Sequence, residues 1–201
     1  MSEQLAVSTP RSGQLVKASS ELSSLLGMEV PQMLSALKAQ CFKGSNPDAI
    51  SNEQLAAFVS VANHLRVNPL LPGFLYAYPT KNGGIEPIAG PDTIFKKLEE
   101  AIAGGVIDGY DCIVYPEDPT LPPTHATCVI ERGNGRKAAR YTAIKAEWYV
   151  ESNPNWKFKA RHMLWLRAIK QCARQVIHGL PMDSDEYKLA RGGRRKVIGI
   201  A

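Results

Sequence analysis

The residues from Lys157 to His178 read KFKARHMLWLRAIKQCARQVIH. Their spacing predicts one long amphipathic helix. Trp165, Ile169, Cys172, Ala173, Val176 and Ile177 recur at helical intervals and make one apolar stripe. Arg167, Lys170 and Arg174 follow at i, i+3 and i+7 on the opposite face, with Gln171 and His178 beside them. No Asp or Glu occurs between Lys157 and His178. A solvated helix ordinarily interleaves both signs and gains from i,i+4 pairs. This stretch has nothing within itself to pair with, so one face reads as built for a core and the other for an anion. A single-sign face of that kind suits the phosphates of nucleic acid.

Outward from this helix, the punctuation of the chain predicts an α+β fold. A helix is expected from about Pro31 to Gln40. Another opens at Ser51, where the run SNEQ fits a capping box and Leu55, Phe58, Val59, Ala62 and Leu65 supply the apolar face. The period then changes. Phe74 to Tyr78 and Ile85 to Ala89 read as strands about a turn at Lys81 to Gly84, and a helix runs from Gly90-Pro91-Asp92 to about Ala103. Three strands are expected at Val106 to Tyr115, His125 to Glu131 and Ala138 to Lys145. They are joined by the Pro-rich loop Pro116 to Pro123 and a tight turn at Arg132 to Arg136. The architecture is a small antiparallel sheet with packed helices, one of them long and basic. Residues 1–28 are expected to be a flexible N-terminal segment, 29–190 a single domain, and 191–201 a mobile basic tail.

The chain has 201 residues and a net charge of +5. That charge is unevenly placed. Residues 1–130 carry 8 Lys and Arg against 13 Asp and Glu, a net −5, and residues 131–201 carry 16 against 6, a net +10. A basic half points to nucleic acid or an anionic membrane. No apolar run approaches the roughly 20 residues that span a bilayer. The N-terminus lacks the pattern of a signal peptide, so a cytoplasmic protein is expected. Cys41, Cys112, Cys128 and Cys172 show no C-x-x-C spacing and read as reduced thiols. The four histidines show no metal-ligand spacing, and Lys81-Asn82-Gly83-Gly84 lacks the spacing of a P-loop. Neither a metal nor ATP is expected.

Several short motifs, in order, resemble the Bet/RecT family of phage single-strand annealing proteins. They are AQCFKG (Ala39 to Gly44), Val61-Ala62-Asn63 with Val67-Asn68-Pro69, YAYP (Tyr76 to Pro79), Asn82-Gly83 with Ile85 and Pro87, Gly90 with Asp92, and RHMLWLRAIKQCAR in the basic helix. The similarity spans roughly Gln32 to Tyr187. It implies ATP-independent annealing of complementary DNA strands, with Mg²⁺ at most modulating the DNA. It also implies a homo-oligomeric ring or helical filament in the cytoplasm of a bacterial host. The implied partners are single-stranded DNA, the annealed duplex, and a phage 5′–3′ exonuclease or the host single-strand-binding protein. Relatives recruit the last two through a longer C-terminal domain. Three phosphate-contacting positions of the family's long helix fall on Arg161, Arg167 and Arg174, and the basic residue in the turn after YAYP falls on Lys81.

Annealing makes no bond. It requires that the repulsion between backbones be neutralised while the Watson–Crick edges stay free. Arg167, Lys170 and Arg174 fit that role by their shared face. Arg161 lies off the face and enters through the resemblance. Lys145, Lys157 and Lys159 flank the helix, as a wider track or as ordinary surface lysines. Arg132, Arg136 and Lys137 frame the hairpin tip, to grip DNA or to meet an acidic surface of a neighbouring subunit. Among the tryptophans, Trp165 belongs to the apolar stripe and Trp156 is the candidate for base stacking. Asp108, Asp111, Glu117 and Asp118 raise the alternative of a metal-dependent nuclease, although two-metal cleavage needs carboxylates that converge. A third class is an RNA-binding or packaging protein without annealing activity.

Overall fold

A computed structural model describes residues 11–80, 82–151 and 153–190, and for residues 11–17, 188 and 190 the backbone alone. The fold is α+β, with small sheets and several packed helices. The chain divides into two compact units, Met1–Ile88 and Ala89–Ala201.

In the first unit, α1 (Arg11–Leu26) and α2 (Val30–Cys41) precede a 3-10 turn at Pro47–Ala49 and α3 (Asn52–Leu65). The strands β1 (Leu75–Pro79) and β2 (Ile85–Ala89) then pair as a two-stranded sheet. The start of α3 is set locally. Ser51 Oγ accepts from the Gln54 amide at 3.2 Å, and the Gln54 side chain accepts from the Ser51 amide at 3.0 Å, the reciprocal box that SNEQ predicts. All five apolar positions expected on this helix are buried, beside Leu22, Met33 and Leu37 of the preceding helices. Of residues 1–28, expected to be loose, Arg11–Leu26 form α1. Leu22 and Ser19 are buried, and Asn63 of α3 donates to the carbonyl of Ala18 at 2.8 Å. Packing against a neighbour orders a segment whose own composition is a weak helix signal. Residues 1–10 and 191–201 lie outside the described residues.

The second unit opens with α4 (Pro91–Ala103), which has Pro at its first turn and Gly104 at its end. The strands β3 (Ile107–Tyr115), β4 (His125–Arg132) and β5 (Ala139–Ile144) form an antiparallel sheet in that order. Four helices follow: α5 (Lys145–Trp148), α6 (Asn155–Phe158), α7 (Ala160–Ala173) and α8 (Ser184–Ala190). Period-2 alternation puts Ala126, Cys128, Ile130, Ala139 and Ala143 on the inner face. There they share one core with Leu164, Ala168, Ile169, Cys172 and Ala173 of α7. The small inner residues let the helix lie close, so that the Cys172 thiol donates to the carbonyls of Ala139 (3.4 Å) and Cys128 (3.5 Å). Between β4 and β5, Asn134 and Gly135 are consecutively left-handed, the backbone a tight hairpin needs. Gly133 beside them is packed so tightly that an added Cβ would lie 2.2 Å from the carbonyl oxygen of Gly105.

The single helix expected over Lys157 to His178 is corrected to two. α6 ends at Phe158, Lys159 leaves helical geometry (φ −133°, ψ 35°), and α7 ends at Ala173. Trp156 explains the break. It is buried and its indole N–H donates to Asp185. In one unbroken helix it would stand about 80° to 160° around the axis from Leu164, Ala168 and Cys172. The interruption at Lys159 lets both reach the core.

Candidate nucleic-acid interface

α7 presents Arg167, Lys170 and Arg174 on one side, as their spacing requires. The first two are buried, at 3% and 5% exposure, and Arg174 is half-buried. Charges so placed need partners, and these come from the segment that starts α8. Arg167 forks onto both carboxylate oxygens of Asp183, its Nη2 lying 3.0 Å from Oδ1. Asp185 stands 3.6 Å from the same guanidinium and Glu186 3.8 Å. Lys170 Nζ lies 3.3 Å from Asp183 and donates to the Ala89 carbonyl at 3.1 Å. Arg174 pairs with Glu186 and donates to the carbonyl of Pro181. The ring of Trp148 covers Arg167 at 4.2 Å.

The acidic segment is itself fixed by a capping box. Asp183 Oδ1 accepts from the amides of Asp185 (2.8 Å) and Glu186 (2.9 Å), and Glu186 accepts from the Asp183 amide at 2.7 Å. Asp185 accepts from Asn153 at 2.9 Å and from Trp156 at 3.0 Å. Burial pushes the Asp183 carboxyl up, but Lys170 and Arg167 outweigh it and hold it at about 2. Burial also pulls the Lys170 ammonium below the usual lysine range, against the pull of Asp183.

This arrangement corrects the reading of an unpaired face. The basic side of α7 has an anion, and it is the chain's own. Trp156, the expected candidate for base stacking, is likewise a core residue here. Trp165 is half-buried between Phe95 and His162, with ring centroids 5.6 and 5.9 Å away.

The remaining cations divide by what surrounds them. Arg161 donates to the carbonyl of Val114 near the end of β3 (3.3 Å) and to three carbonyls of the Pro-rich loop: Pro116 (2.9 Å), Glu117 (3.1 Å) and Asp118 (3.2 Å). Arg132 is half-buried and donates to the Gln175 carbonyl at 2.7 Å, just beyond the negative end of α7. Lys157 and Lys159 around α6, and Arg136 and Lys137 at the hairpin tip, are exposed, and Lys145 is half-buried. None of these five forms an ion pair among the described residues. Lys81 lies outside the described residues.

Asp108, Asp111, Glu117 and Asp118 do not converge. Asp118 closes its own turn, accepting from the Thr120 amide at 2.9 Å and the Thr120 hydroxyl at 2.7 Å, and these bonds hold its carboxyl below the usual range. Among the described residues no group of three or more His, Cys, Asp or Glu could hold a metal ion, which leaves the nuclease alternative without a site there. No described helix is long and apolar enough to cross a membrane.

The chain is similar to recombination protein bet of Escherichia phage lambda. The two are 29% identical over 172 residues, 80% of this chain and 60% of that protein. The chain thus spans less than two thirds of the length of that relative. No protein-family model matches it.

Two groups escaped the sequence reading. Asp183, Asp185 and Glu186 stand close together in the sequence, but their partners Arg167, Lys170 and Arg174 lie on or just beyond another element. Phe158 is 83% exposed, the most exposed of the large apolar side chains described, and stands between Lys157 and Lys159. The triplet KFK is the signal that could have found it.

Proposed function

We propose that this chain is a single-strand annealing protein of the Bet/RecT kind, taking part in phage-type homologous recombination. It binds single-stranded DNA by its phosphate backbone and pairs it with a complementary strand, without ATP and without making or breaking a covalent bond. The observation that carries the reading is the similarity to recombination protein bet over 172 residues. The unpaired cations at the hairpin tip and around α6 support it.

In this reading Arg136, Lys137, Lys157 and Lys159 neutralise phosphates and release their counterions. Lys145 extends the track, and Lys81 and Arg161 are further contacts. Arg167, Lys170 and Arg174 reach DNA only where phosphates displace Asp183 and Glu186. Copies of the chain assemble into a ring or a helical filament. The net −5 of residues 1–130 and +10 of residues 131–201 favour head-to-tail contact, a heterologous interface that closes into rings or runs on as filaments. A phage 5′–3′ exonuclease and the host single-strand-binding protein are the further partners of this reading, and the bacterial cytoplasm its location.

The test mixes two complementary oligonucleotides without ATP, follows pairing by fluorescence, and images the product by electron microscopy. Accelerated pairing together with rings or filaments is expected. Unchanged pairing with DNA binding intact would overturn annealing and leave a nucleic-acid-binding module.

A further inference from the structure

Phe158 has no place in the core and no partner among the described residues, yet its backbone is tightly held. The Phe158 and Lys157 amides donate to the Pro154 carbonyl at 3.3 and 3.0 Å, and the Lys159 amide to Asn155 at 2.7 Å. Two residues earlier Trp156 is sunk in the core and bonded to Asp185. The aromatic ring is therefore presented on an anchored turn, with little backbone freedom left to lose on binding. Its sequence neighbours Lys157 and Lys159 are exposed and unpaired. A bare apolar ring between two free cations matches a ligand with a flat apolar face between two anions. Single-stranded nucleic acid has that pattern, a base between successive phosphates.

We infer that Phe158 stacks on a nucleobase of single-stranded DNA while Lys157 and Lys159 hold the adjoining phosphates. This rests on the annealing reading and adds to it a base contact. Stacking uses the face of the base and leaves its Watson–Crick edge open, so the contact is compatible with pairing to an incoming strand. It is also indifferent to sequence, because every base has such a face.

The experiment measures the affinity of the full chain, at low salt, for oligodeoxythymidylate and for an abasic deoxyribose-phosphate oligomer of equal length. Wild type and Phe158→Ala are compared, with Phe158→Trp as the rescue. The side chain is exposed, so the alanine variant keeps its core. The expected result is a loss of about 5-fold to 150-fold on oligodeoxythymidylate for Phe158→Ala. No loss is expected on the abasic oligomer, and Phe158→Trp restores the affinity. Equal binding of oligodeoxythymidylate by wild type and Phe158→Ala would overturn the stacking contact alone. So would an equal loss on both oligomers, with a changed assembly mass by light scattering, which would place Phe158 between copies of the chain. If the wild type binds neither oligomer, the annealing reading falls, and this contact with it.

Discussion

Replacing Asp183 with Asn tests whether the acidic segment holds the basic side of α7. The substitution keeps shape and one acceptor but removes the charge that faces Arg167 and Lys170. Two routes give its magnitude. The folded carboxyl sits at about 2 against an ordinary value of 3.8, and that difference corresponds to about 2 kcal/mol of stability at neutral pH. Truncating one partner of a buried pair costs about 3–5 kcal/mol, eased here because Asp185 and Glu186 remain within 3.6 and 3.8 Å of Arg167. A loss of about 2–4 kcal/mol is expected, a urea midpoint lower by about 1–2 M. Tryptophan fluorescence reads the right unit, since Trp148, Trp156 and Trp165 all lie in the second. The pH dependence has a definite sign. A depressed carboxyl stabilises fully above its unfolded value and loses that contribution as pH falls through the folded one, so the gap between wild type and variant should close between about pH 4 and pH 2. Equal midpoints at pH 7, or a gap at pH 2 as wide as at pH 7, would refute the reasoning.

Three further outcomes are expected. If Lys157 and Lys159 meet phosphates as proposed, Lys157→Ala with Lys159→Ala should flatten the slope of log affinity against log salt by about 1.4 on single-stranded DNA, and an unchanged slope in a salt titration would take both lysines out of the proposed track. Gly133→Ala forces a side chain against the Gly105 carbonyl and should cost about 1–3 kcal/mol by urea denaturation; a neutral result would mean the hairpin shifts freely. In a thiol titration with Ellman's reagent, only the half-buried Cys112 should react in the native chain. Cys41 is buried, with its thiol pushed up to about 12 by that burial, and Cys128 and Cys172 are buried as well. All four should react once the chain is unfolded, and rapid reaction of more than one in the native chain would contradict the packing described.

What the sequence made legible was whatever short-range chemistry decides. Ser51 and Gln54 are three residues apart, so the capping box could be read directly, and the alternation in β4 showed which of its residues face inward. The helix after Lys157 was misread because its break depends on Trp156 reaching Asp185, 29 residues further on. Separation along the chain also hid the partners of Arg167. Rules for i,i+4 pairing see one helix at a time, and Asp183 lies 16 residues beyond Arg167, at the start of another helix. For the candidate interface, the sequence located a basic region but could not separate its enclosed cations from its exposed ones. That division is made by tertiary packing.

The carboxylates at the start of α8 also decide where this chain can be shortened. A fragment cut between Met182 and Asp183 would retain all of α7, yet Arg167, Lys170 and Arg174 would lose their counter-charges and Trp156 its acceptor. Such a fragment would cling to heparin, transfer RNA and DNA alike. Its tight binding would be manufactured by the scissors and would say nothing of the intact protein, so a fragment meant for binding studies should keep the chain at least through Ala190.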